Sequence, residues 1–359
     1  MNLRTQVMFW LGALVLLLLF LWVFSDILLP FILGMALAYL LDPLADWLER
    51  AGMSRFWATI TIVVLTVLVL TLVALIVVPL LFAQLSAFLE RLPSYVTQIQ
   101  GLGNRFFQTR IGQFFRTQGG GPNVDQMVSQ GASWIATVVA SLWAGGRALI
   151  NVVSLIVVTP VVAFYLLYDW DNMLTRLDGL LPREHADTIR ALGHDINLAI
   201  AGFIRGQGAL CAILGLFYAI SLSILGLNFG FLIGSVAGLI SFIPFVGSIV
   251  GLVVALGVAV VQFWPDWVWV VAIGGVFAVG QFIEGNILQP RLVGSSIGVH
   301  PVWLMFALFA FGSLFGFVGV LLAVPVTAAI GVLVRFAVER YRLSRLYLDQ
   351  SGGPPAAGA

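Results

Sequence analysis

Between Trp57 and Val78 the chain carries no charged side chain at all. About 20 consecutive apolar residues are enough for a helix to cross the hydrocarbon of a bilayer. One such run could still be the centre of a large soluble core. Composition removes that alternative: 61% of the chain is hydrophobic and 9% is charged, where a soluble domain carries roughly a quarter charged residues. The sequence therefore specifies an all-α, polytopic integral membrane protein. Net charge is +1, which gives no electrostatic case for nucleic acid. The lone Cys211 excludes a disulfide within one chain and a thiolate metal cluster.

Taken in order, residues 7–24 form a first spanning helix, too long for a signal-peptide core and followed by no small-residue cleavage site. A polar turn at Ser25 and Asp26 leads into a return helix over 27–41, expected to end at Asp42 and Pro43. Residues 45–55 are short and amphipathic, and 57–78 span until Pro79. Residues 80–148 differ: Leu81, Leu85, Phe88 and Leu92 recur at helical spacing among Gln84, Glu90 and Arg91. They predict amphipathic helices on the membrane or on a neighbouring subunit. After a span over 149–168, residues 172–206 are polar and solvated. Residues 208–226 span again.

Residues 229–264 are too long for one simple helix. Ile243, Pro244, Phe245, Val246 and Gly247 interrupt them, which predicts a re-entrant or sharply kinked hairpin. Spans over 267–283, 302–315 and 318–335 complete about eight, with broken helices in the C-terminal half. The expected divisions are residues 1–79, 80–148, 149–207, 208–340 and a tail over 341–359 whose end is disordered by composition. Arg4, Arg50, Arg55, Arg335, Arg340, Arg342 and Arg345 fall on one side if spans alternate, which predicts cytoplasmic termini.

Ile243 to Gly251 echoes Phe315 to Ala323, each containing Phe-Val-Gly. Paired interrupted apolar segments point to the binding region of a transporter. Pro244, Gly247, Pro290, Gly319 and Pro325 are the candidate hinge or broken-helix positions. Small residues at Gly230, Gly234 and Gly238 form a face that lets helices approach closely.

Glu284 lies deep in the apolar C-terminal third, beside Asn286, Gln289 and Arg291. Polar side chains at such depth mark a solute or ion path, or pair with one another. Glu284 is the candidate coupling carboxyl, and a Glu284–Arg291 pair that pins two segments is the structural alternative. Asn286 and Gln289 offer amides to a solute or to backbone freed by Pro290. Arg205 and Gln207, entering a span, are substrate-path or interfacial candidates. Gly294, Ser296 and Gly298 match G-x-S-x-G with His300 nearby, so an intramembrane serine hydrolase is a second class to test. The motif lacks its strand–turn–helix context, and no catalytic residue, metal site or cofactor is assigned.

Four places resemble the autoinducer-2 exporter family, the PerM-like permeases of bacteria. They are Ala38 to Pro43; Phe203 to Gln207, similar to a Y-x-R-G-Q element; Ile243 to Gly247, similar to I-P-Y-V-G; and Glu284 to Arg291 with Gly294, Gly298, His300, Pro301 and Phe315 to Pro325. The resemblance implies a multi-pass protein of the bacterial inner membrane that exports small solutes, with sodium/proton antiport in some members. The expectation is a secondary transporter of a small solute, autoinducer-2-like or similar, working by alternating access. A sodium/proton antiporter and a passive channel are the alternatives. Its partners would be the solute or ion, the lipid bilayer and further copies of the chain.

Overall fold

A computed structural model describes residues 19–108 apart from Trp22, 146–293 apart from Phe245, and 300–344, with isolated positions elsewhere. Most of the first expected span, residues 109–129, the Gly294–Gly298 motif and the terminal tail lie outside the described residues. What is described is helical: α1 (Ser25–Arg50), α2 (Arg55–Gln108), α3 (Gly146–Asp178), α4 (Ala186–Ile224), α5 (Gly230–Ile240), α6 (Val246–Phe263), α7 (Trp267–Ile283), a π-helical stretch (Glu284–Val293) and α8 (Pro301–Arg342). Six helices among the described residues are long and apolar enough to cross a membrane.

Two helices run through prolines at which the sequence predicts an end. α1 continues past Pro43 to Arg50, and α2 continues past Pro79, and through Pro93 as well, to Gln108. Apolar flanks on both sides of each proline favour helix, and neighbouring groups can satisfy the one carbonyl a proline frees. At 54 residues, α2 is about 80 Å long, far more than the ~30 Å of hydrocarbon. Its second half must therefore leave the apolar layer. The amphipathic face there meets its own chain rather than only membrane or another subunit. Phe88 is buried with its ring edge-on to Phe229 at 5.4 Å, and Gln84 Oε1 accepts the Leu232 N–H at 3.0 Å.

The chain divides into two compact units, each built from non-consecutive stretches. One comprises Met1–Thr59, Val161–Gly206 and Arg291–Ala359; the other comprises Ile60–Pro160 and Gln207–Pro290. In the first unit α1 buries Pro30, Gly34, Ala38, Leu41 and Ala45, a single stripe at helical spacing, and α1 packs against α8. Ala199 of α4 joins Ala328 and Val332 of α8 in a small core. α8 is not one rod: Gly316 has φ 59° and ψ −139°, a conformation open to glycine and closed to a side chain. A Cβ on Gly319 would collide with the Phe311 carbonyl, and one on Gly312 would lie 3.0 Å from Val320. Positions eight apart touch only if the chain doubles back, so α8 is a helical hairpin turning at Gly316.

The second unit contains the expected interruption at Pro244. α5 and α6 fold back on one another, α6 packs on α7, and Gly247 sits against Ser241 and Ala237. The two sequence echoes thus occupy equivalent places: Gly247 and Gly319 each pack on the opposite arm of a hairpin. The second turn falls at Gly316, not at Pro325, which lies within a helical arm. The internal repeat read from Phe-Val-Gly has a structural counterpart in these turns.

The polar bend between α3 and α4 is held by Arg190, whose Nε and Nη2 donate to the two Asp178 oxygens at 2.7 and 2.9 Å. That hydrogen-bonded guanidinium keeps the Asp178 carboxyl below its ordinary range. A carboxylate with a lowered folded-state pKa contributes above its unfolded value and loses that contribution as pH falls through the folded one. Hydrogen-exchange protection at residues 179–185, taken relative to the intrinsic rate at each pH, is therefore expected to fall in acid below the usual carboxylate range. Asp178→Asn should show the lower protection already at neutral pH, with no further loss in acid.

Candidate transport site around Glu284 and the Pro244 hairpin

The site of the second unit is assembled from α4, the α5–α6 turn and the end of α7. α5 ends at Ile240 because Pro244 cannot donate to a continuing ladder, which leaves carbonyls at its C-terminus without helical partners. Gln207 supplies the missing donor. It is 4% exposed, and its Nε2 donates to Ser241 O at 2.8 Å and to Phe242 O at 3.3 Å. The Ser241 hydroxyl donates to Ala237 O at 2.9 Å. Gln207→Leu keeps the volume but leaves these carbonyls unsatisfied, at a cost of about 1–3 kcal/mol. A lowered thermal midpoint in detergent would register it; a midpoint equal to the parent's would mean that the turn is held otherwise.

Glu284 closes α7 and opens the π-helical stretch. It is 3% exposed. It accepts a long hydrogen bond, from Gln281 Nε2 to Oε2 at 3.4 Å, and among the described residues it has no ion-pair partner. Tyr218 of α4 is fully buried, stacks on Phe277 at 4.7 Å and packs its ring against Gly280. Its hydroxyl has no hydrogen-bond partner among the described residues. Gly280, against which the Tyr218 ring packs, lies one helical turn before Glu284 on the same face. A buried carboxyl and an unsatisfied hydroxyl thus share one apolar neighbourhood.

Pro290 does not break the helix as the sequence suggested. The backbone widens instead into π turns over Glu284–Val293, a register often found at functional sites. The Asn286 side chain donates to the carbonyl one turn back: Nδ2 to Phe282 O is 3.0 Å. Asn286 therefore serves backbone. Gln289 is half-buried, while Pro290 and Arg291 are exposed. His300 caps α8, its Nδ1 accepting the Val302 N–H at 3.3 Å; Ser296 lies outside the described residues. No group of three or more metal-ligating side chains occurs among those described.

In the first unit Arg205 Nε donates to Tyr39 O at 2.7 Å, and its Nη2 lies 3.4 Å from Asp42. Asp42 also contacts Arg55, which reaches Asp46 at 2.6 Å and Glu49 at 3.2 Å. Sequence reasoning missed this cluster and Tyr218. Asp42 had a signal, an acid beside proline where an apolar run ends; Tyr218, one aromatic among many, had none.

Apolar spans, paired helical hairpins and a carboxyl enclosed within an apolar helix define a polytopic membrane transport protein without strands among the described residues. The chain belongs to the AI-2E transporter family, whose model, described as "AI-2E family transporter", matches residues 11–339. Relatives include "Putative transport protein YrrI" of Bacillus subtilis (strain 168), 31% identical with 87% of each chain covered. "Putative transport protein YueF" of the same organism is 23% identical over 92% of this chain and 89% of its own. "Putative permease PerM" of Escherichia coli (strain K12) is 26% identical over 87% of each. The family is one of transporters and permeases, not of enzymes.

Proposed function

We propose that the protein is a secondary transporter that exports a small solute, autoinducer-2-like or similar, across the bacterial inner membrane with its termini in the cytoplasm. Coupling runs through Glu284. The observation that carries this reading is a carboxyl 3% exposed, held by one long hydrogen bond and placed where α7 widens into π turns. An ionised carboxylate in such surroundings needs a compensating partner. A proton and a cation or solute can exchange there, each excluding the other. The hairpins at Pro244 and Gly316 supply repeat-related elements of the kind that rock or slide in alternating access. Gln207 fixes the first hairpin's turn, and Gln289 is the side chain of the π stretch best left free for solute.

The same carboxyl supports a second reading, sodium/proton antiport with no organic cargo. Purified protein in proteoliposomes, under imposed sodium and proton gradients, separates the two. Solute flux driven by either gradient supports export. Proton movement driven by sodium alone, with no solute dependence, supports antiport. Non-saturable flux insensitive to both gradients would replace both with a passive channel. Association into a homo-oligomer is part of the proposal, and a monomeric mass by light scattering in mild detergent would remove it.

A further inference from the structure

Within the first unit, α1, α3 and α4 enclose a cavity of about 160 Å³. On a scale where one water needs about 10–15 Å³, that is room for a group of about ten non-hydrogen atoms. Its polar wall is Tyr39, Asp42, Asn197 and Arg205, and its apolar wall includes Trp170 and Leu198. The polar groups are only partly spent. Arg205 uses Nε on the Tyr39 carbonyl, and its contact with Asp42, at 3.4 Å, is longer than the ~2.7–2.9 Å of a good charge-assisted bond. Asn197 accepts the Tyr39 hydroxyl at 2.9 Å through Oδ1, and its amide N–H groups have no partner among the described residues. Trp170 meets Tyr39 edge-on at 6.3 Å. Leu198 is 55% exposed, so the apolar wall opens outward.

We infer that this cavity binds the headgroup of a membrane phospholipid bearing a primary amine, a phosphatidylethanolamine. The phosphodiester is held by the free face of the Arg205 guanidinium and the Asn197 amide, the ammonium by the Asp42 carboxylate, and the glycerol end leaves past Leu198. A stretched Arg–Asp pair is what a ligand carrying both charges would bridge. Local charge selects against an anionic headgroup. The charged side chains lining the cavity are Asp42 and Arg205, one of each sign, which favours a headgroup carrying one charge of each sign over one that brings an anion alone. A choline headgroup has the positive charge but no N–H to donate to Asp42. The position fits the source: Trp and Tyr rings gather where helices leave hydrocarbon, and the apolar wall suits an acyl-glycerol stem.

Native mass spectrometry of the full-length protein in mixed micelles tests this. Phosphatidylethanolamine, phosphatidylglycerol and phosphatidylcholine are supplied in equal amounts. Phosphatidylethanolamine should be retained preferentially, and Arg205→Gln should weaken its retention by about tenfold, the loss of a charge-assisted contact. Arg205 also holds a backbone carbonyl, so Leu198→Trp provides a second variant that blocks the mouth from an exposed position and should give the same loss without disturbing the fold. Equal retention of all three lipids, or unchanged phosphatidylethanolamine retention in Leu198→Trp, overturns the proposal. Soluble phosphoethanolamine displacing the lipid at equal concentration also overturns it, because the site would then be one for a free phosphate compound.

Discussion

Glu284→Gln is expected to abolish proton-gradient-driven flux in proteoliposomes while the protein still folds, inserts and elutes as the parent does. The substitution keeps size and hydrogen-bonding reach, and Gln281 Nε2 at 3.4 Å can still donate to the new amide oxygen. Folding is therefore spared. What disappears is the one group of that neighbourhood that can carry a charge in one state and none in the other. A neutral amide neither takes up a proton from the high-proton side nor offsets a bound cation. Counterflow exchange of labelled solute, which needs no net coupling, should survive. Loss of both activities would make Glu284 a binding residue; full retention of driven flux would remove it from the mechanism. Tyr218→Phe offers a separate reading of the same site. Its hydroxyl has no partner among the described residues, so a structural role predicts no change, whereas a fall in driven flux would mean that the hydroxyl meets the transported species.

The parts of this architecture that sequence disclosed are those written in local chemistry. Runs without charge announce spans because hydrocarbon tolerates little else. Pro244 among glycines announces a turn because it removes a donor where no neighbouring strand or helix in sequence can replace it. The echo between Ile243–Gly251 and Phe315–Ala323 led to paired hairpins because close approach of two helix arms demands glycine at matching places. The failures share one cause. Whether Pro43, Pro79, Pro290 or Pro325 ends a helix depends on what satisfies the carbonyl each one frees, which the local sequence does not state; at Pro290 the backbone widens into π turns instead of ending. Periodicity reports faces, not partners: Phe88 was read correctly as apolar-face, but its partner Phe229 is far away in the chain. Glu284 was visible as a charge out of place. The buried Tyr218 beside it was not, since tyrosines are common in apolar helices.

Gly238→Ala is expected to destabilise the protein sharply, and Gly257→Ala to leave it unchanged or stabilise it. Both replace glycine inside a helix, where alanine is intrinsically better by about 1 kcal/mol. The difference lies in what the added methyl meets. At Gly257 of α6 nothing lies within 4 Å. At Gly238 of α5 the new atom would overlap the backbone of Gly215 in α4, its Cα and its nitrogen. Backbone cannot swing aside as a side-chain tip can, so the helices must part along their whole contact. That contact is a row: Gly230 lies on Leu222 and Gly234 on Tyr218 and Ala219, so a wedge at one step loosens the others. Overpacking of this kind costs about 1–3 kcal/mol or more, a large share of the roughly 5–15 kcal/mol that holds a protein folded. The same separation would move Tyr218 off Phe277 and Gly280, and Gln207 off the carbonyls of the turn. Gly238→Ala should therefore lower both the thermal midpoint and the driven flux of whatever protein remains folded. If its midpoint matched that of Gly257→Ala, the α4–α5 contact would be looser than these glycines describe, and the close packing behind the Glu284 neighbourhood would have to be abandoned.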